Sequence, residues 1–166
     1  MKETSQPDEL LQRFRNGSDQ LRNSLSDLNE DQLNLAFEEG AWSIRQIVHH
    51  LSDDGDVYSF IIKRAIASPG YATRFEGFPG NEPWGCALCT SRRKIDTSLQ
   101  LIEAHRKSIA ELLESIPGAM QMEAGFIGED GKEIQLSIES ILLMLIDHMD
   151  EHLQTIKNIK IKHNIA

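Results

Sequence analysis

Trp42-Ser43-Ile44-Arg45-Gln46-Ile47-Val48-His49-His50-Leu51 is the stretch on which the fold turns. Ser43 and Gln46, three positions apart, read as a capping box. The Ser43 side chain accepts from the Gln46 amide, and the Gln46 side chain reaches back to the amide of Ser43. Trp42 before the cap and Ile47 after it form a hydrophobic staple. This signal predicts a helix from Ser43 to about Ala67. At about 100° per residue, Ile47, Leu51, Val57, Tyr58, Ile61, Ile62 and Ala65 gather into an apolar arc roughly 140° wide. His50 falls inside the edge of that arc, whereas the wheel turns His49 towards solvent.

The pattern extends in both directions. Upstream, Leu10, Phe14, Leu21, Leu25 and Leu28 return to one face and predict a helix from about Pro7 to Leu28, with Pro7, Asp8 and Glu9 suited to its start. A linker follows over 29–41. Downstream, Pro69, Gly70, Gly77, Pro79, Gly80, Pro83 and Gly85 break the chain into a long loop. Its Tyr71, Phe75, Phe78 and Trp84 are expected to cap an end of the fold, with a pocket wall as the other reading. Ile95, Leu99, Ile102, Ile109, Leu112, Leu113 and Ile116 mark a third helix from about Ser91 until Pro117-Gly118. Asp130-Gly131, between short apolar runs from Glu123 to Leu136, reads as a small hairpin. The last helix runs from Ser137 to about Lys162. The expected fold is all-α, a four-helix bundle with a long loop between helices two and three, in a single domain over 1–166.

Composition narrows the function. In 166 residues there are 17 Lys and Arg against 26 Asp and Glu, a net charge of −9. Nucleic acid and anionic membrane surfaces are therefore excluded as main partners, since both require a concentrated positive patch. The longest apolar run, Ile141 to Ile146, is too short to cross a bilayer, and the first residues lack the apolar core of a signal peptide, so a cytoplasmic protein is expected. Two cysteines cannot make a disulfide scaffold. Cys86 and Cys89 have the spacing of a redox or zinc pair, but no βαβ setting or further ligands accompany them, and they read as reduced loop cysteines.

The histidines carry the chemistry. His148 and His152, four apart, share a face with Ile141, Leu145, Ile156 and Ile159. Such a pair is a ready bidentate site for a divalent ion, although bundle helices also carry it by chance. One more His from a facing helix would complete three nitrogen ligands and leave a coordination position open, where water or thiol loses its proton readily. His105 shares a face with Ile102, Ile109 and Ile116 and reads as a hydrogen-bonded core histidine. Asp54, one turn after His50, is a fourth ligand, a base, or a solvated acid. Asp147, Asp150 and Glu151 point outward.

The Trp42–Leu51 string, combined with His148-x-x-x-His152, resembles the DinB-like superfamily, and within it the YfiT-like proteins. The resemblance covers nearly the whole chain. It implies a four-helix bundle in which His50, His148 and His152 bind a divalent metal, zinc or nickel. It also implies a metal-dependent enzyme. The leading expectation is a thiol S-transferase that joins a low-molecular-weight thiol to a small electrophile; the alternatives are a hydrolase using metal-activated water and a non-catalytic metal- or small-molecule-binding bundle. A homodimer is a further expectation from the resemblance. The sequence departs from the YfiT-like pattern after His50, reading Ser52-Asp53-Asp54-Gly55-Asp56 where a further His is expected.

Overall fold

A computed structural model describes residues 6–127 and 131–165. Its helices are α1 (Gln6–Leu25), α2 (Ile44–Ala67), α3 (Asn81–Ala87), α4 (Asp96–Ser115) and α5 (Ile138–Lys162). Strands β1 (Thr73–Arg74), β2 (Glu123–Ile127) and β3 (Glu133–Ser137) form a small sheet in the order β1-β2-β3. The predicted capping box is made. Ser43 Oγ accepts from the Gln46 amide at 3.3 Å while Gln46 Oε1 accepts from the Ser43 amide at 2.9 Å. Ser137 Oγ accepts from the Ser140 amide, opening α5.

The four long helices make the bundle, and each packs on two neighbours in the ring order α1, α4, α2, α5. The first two helices in the chain are thus diagonal to each other, and α2 lies beside α5. That adjacency brings His50 against the His148–His152 face.

The hydrophobic core has two parts. One gathers Leu10, Phe14, Ile61, Ile62, Ile109, Ile141, Leu142 and Leu145; the other gathers Leu21, Ile44, Ile47, Leu51, Ile102, Met149, Ile156 and Ile159. Between them each long helix contributes small or polar residues: Gly17 and Ser18 from α1, Asp54 and Gly55 from α2, His105 and Arg106 from α4, His148 from α5. A polar layer therefore crosses the bundle. Glycine inside a helix costs about 1 kcal/mol relative to alanine, and two are tolerated here for a steric reason. A Cβ on Gly17 would come within 2.6 Å of Arg106 Nη1, and one on Gly55 would collide with His105 Nδ1.

Several expectations need adjustment. α1 ends at Leu25, and residues expected to open the third helix from Ser91 lie in turns before α4. The long loop is partly ordered into α3, and its Thr73–Arg74 segment pairs in parallel with β2, a long-range contact that no local pattern announces. The hairpin forms, with β2 antiparallel to β3 and Glu123 opposite Ser137. Asp130 of its proposed turn and the first five residues lie outside the described residues; Gly131 is in the left-handed region, at φ 75°.

Arg45 ties the 29–41 linker to the bundle. It is buried; its Nε donates to Asn34 Oδ1 at 2.8 Å, its Nη1 to the Arg93 carbonyl at 2.9 Å, and its Nη2 to the Glu30 carbonyl and carboxylate at 3.0 and 2.8 Å. Arg45→Leu is expected to cost about 3 kcal/mol, because it strands acceptors of this network. Ser43→Ala should cost only about 1 kcal/mol. Urea unfolding of the two variants measures the difference, and equal losses would refute the role given to Arg45.

Candidate metal centre

His50, His148 and His152 converge. His50 Nε2 and His148 Nε2 lie 3.2 Å apart, and His148 Nε2 and His152 Nε2 lie 3.0 Å apart. One ligand atom from each falls within 4.8 Å of those of the other two. Two ring nitrogens at such a separation, each about 2.0–2.1 Å from a shared ion, would subtend about 90–106°. The donor set thus fits a divalent ion held on one side and open on the other.

The surroundings keep the rings neutral, which a metal ligand requires. Burial, reinforced by His148 and His152, pushes the pKa of His50 down to about 3. Burial and His148 lower that of His152 to about 4. His148 is lowered by burial, with Arg106 adding to the effect while Glu151 opposes it. Trp42 closes the flank, its ring 4.8 Å from that of His50 and stacked 6.4 Å from that of His152.

Asp54 stands behind the histidines. Its Oδ2 is 3.2 Å from His148 Nδ1 and 3.5 Å from His50 Nε2. As a carboxylate it accepts the His148 Nδ1 proton, which leaves Nε2 with its lone pair facing the other rings. The side chain is only 23% exposed, so the solvated-acid reading gives way. Burial, with a smaller contribution from the charge of Asp53, raises its pKa to about 7. A dication beside it would favour the ionised form again.

His49 corrects the helical wheel. Rather than facing solvent it is 1% exposed. Its Nε2 is 3.1 Å from the Arg93 carbonyl, which can only accept, so that nitrogen carries the proton and Nδ1 accepts from Ser98 Oγ at 2.8 Å. The wheel failed because α2 is flanked by both α4 and α5, so its N-terminal half is buried over more than one arc. His105 pairs through Nε2 with Asp56 Oδ1 at 3.0 Å, and its Nδ1 is buried against Gly55. Asp147, Asp150 and Glu151 are exposed, as are Cys86 and Cys89.

The loop aromatics do not merely cap the bundle. Phe75, Phe78 and Trp84, together with Tyr58, line a cleft of about 1290 Å³ that reaches His50, Asp54 and His148. Trp84 Nε1–H donates to Asp53 Oδ2 at 3.0 Å. The i, i+4 relation of His50 and Asp54 was visible in the sequence. The Asp53–Trp84 bond, spanning 31 positions, had no local signal.

Residues 13–156 match the DinB superfamily, and the chain belongs to it. A protein of Bacillus licheniformis is 28% identical over 137 residues, 82% of this chain and 75% of its own length. One from Oceanobacillus iheyensis is 26% identical over 150 residues, 90% of this chain and 82% of its own. A second O. iheyensis protein is 32% identical over 96 residues, 58% of this chain, and the match spans only 54% of that relative. All three are named, provisionally, as metal-dependent hydrolases. Among solved structures, YfiT of Bacillus subtilis superimposes with a TM-score of 0.83 at 19% identity, over all of this chain and 93% of YfiT. It is described, again provisionally, as a metal-dependent hydrolase with an unusual four-helix bundle topology. A mycothiol-dependent maleylpyruvate isomerase gives a TM-score of 0.68 at 18% identity, covering 92% of this chain and 61% of that one. At these identities the structural likeness is one of fold.

The ionisation pattern predicts a pH response of the metal-free protein. The folded pKa of His50, about 3, lies below its ordinary 6.5. Its contribution to stability is complete above 6.5 and is lost as pH falls towards 3. Asp54 has the opposite sign, because its folded pKa of about 7 exceeds the ordinary 3.8; its contribution is complete below 3.8 and lost as pH rises through 7. Thermal melts of chelated protein from pH 7 to 4 should therefore show a shallower acid loss in His50→Gln and a steeper one in Asp54→Asn. Parallel profiles in both variants would contradict the assignment.

Proposed function

We propose that the protein is a divalent-metal enzyme whose ligands are His50, His148 and His152, and that it transfers a low-molecular-weight thiol to a small electrophile. The convergence of three ring nitrogens, two of them from His50 and His148 on the wall of an open cleft, carries this reading. A divalent ion there, zinc or nickel as the family resemblance implies, would supply a Lewis-acid position that lowers the pKa of a thiol. Asp54 holds His148 in the tautomer that presents Nε2 and stands where a proton leaving an incoming thiol can be accepted. Phe75, Phe78 and Trp84 supply apolar walls that fix an organic electrophile and limit water.

The mycothiol-dependent neighbour supports thiol chemistry on this fold. Water activation for hydrolysis is the second reading, favoured by the names of the sequence relatives; the same open position serves water. Elemental analysis of protein purified without added metal is expected to find close to one zinc or nickel per chain. His148→Ala should lose the metal and reduce turnover at least about a hundredfold, and Asp54→Asn about ten- to a hundredfold. A thiol-conjugation screen run beside ester and amide substrates separates the two chemistries. Protein that neither carries nor takes up zinc or nickel would overturn both.

A further inference from the structure

Asp54, from the run that departs from the YfiT-like pattern, lines the cleft beside His50 and His148. Asp53 and Asp56 line it, and Glu76, Asp147 and Glu151 line it from the loop and from α5. Among the described lining residues Arg74 is the one cationic side chain, and its Nη1 lies 3.6 Å from Glu76 Oε1. The walls therefore carry a strong excess of negative charge, focused by apolar surface.

The aromatic geometry points the same way independently. Phe78 and Trp84 meet at 5.6 Å between ring centroids with a 51° angle between planes. They form a corner rather than a stack, and Asp53 fixes the indole through its Nε1–H. Two non-parallel ring faces beside carboxylates suit an ammonium group, which is attracted to the negative face of each ring and to the acids at once.

We propose that this cleft admits an organic cation: the substrate carries a protonated amine that seats in the Phe78–Trp84 corner while its reacting end faces His50 and His148. The inference rests on the proposed function in taking the cleft as the approach to the histidine centre. It assigns to the thiol or to the electrophile a positive charge, and it excludes simple carboxylates from this approach. The amine binds without covalent change.

The test uses benzylamine, benzyl alcohol and benzoate, which share a ring and differ in charge. Calorimetric titration is run on chelated protein, because a bound ion would itself attract the carboxylate. Benzylamine is expected to bind about tenfold or more tighter than benzoate, with benzyl alcohol between them. The preference should shrink several-fold as salt rises from about 0.02 to 0.5 M. Trp84→Leu should weaken benzylamine about threefold or more. The double variant Asp147→Asn/Glu151→Gln, at exposed positions where folding is not at stake, should narrow the gap between amine and carboxylate. The proposal is overturned by benzoate binding as tightly as benzylamine, by benzylamine binding that neither variant alters, or by no measurable benzylamine binding. Metal uptake, measured on the same preparations before chelation, fails or succeeds separately, so loss of the metal reading is distinguishable from loss of this one.

Discussion

His148 Nε2, with its proton drawn to Nδ1, offers one lone pair to two ring nitrogens, His50 Nε2 at 3.2 Å and His152 Nε2 at 3.0 Å, and the fold has to hold all three there. Nothing in the three rings alone pays for that arrangement. It depends on α2 and α5 being neighbours, on Trp42 against two of the rings, and on Asp54 drawing the His148 proton to Nδ1. Burial then makes protonation of His50 and His152 unfavourable until well below neutral pH. A cation shared by the three rings would accept a lone pair from each at once.

The polar layer has consequences for the rest of the bundle. Arg106 crosses it as a buried cation, donating to the Phe14 and Leu145 carbonyls at 2.6 and 3.1 Å and lying 4.7 Å over the Phe14 ring. Burial lowers its pKa to about 10, so it remains charged at neutral pH and adds to the pressure against protonating His148. Its guanidinium needs the space that Gly17 leaves on α1, as His105 needs that of Gly55 on α2. Both glycines weaken their helices and both are explained by what the opposite helix inserts. The gap between the two core clusters is thus the space that these polar side chains occupy.

The bundle was legible because its helices are long and strongly periodic, and because Ser43 and Gln46 form a local signal that needs no tertiary context. The His148–His152 pair was legible for the same reason, as a single-helix spacing. His50 does lie beside His148 and His152, whereas His49, which the wheel turns to solvent, is buried, since a wheel drawn for one buried face cannot represent a helix with neighbours on two sides. Arg45, read only as part of the cap motif, proved to be the tie to the linker. Strand β1, helix α3 and the Asp53–Trp84 bond were not legible, because each is decided by partners far away in the chain.

Charge connects the centre to its cleft. Neutral imidazoles leave a bound dication uncompensated, and carboxylates nearby must balance it. Asp54 is near enough to do so, while Asp53 is engaged by Trp84 and Asp56 by His105. The carboxylates farther out, Glu76, Asp147 and Glu151, are exposed. Their field reaches into the cleft at low ionic strength and acts on whatever approaches. Part of the net charge of −9 is therefore gathered on the walls of the cleft, where, under the function proposed, it would sort small molecules by sign.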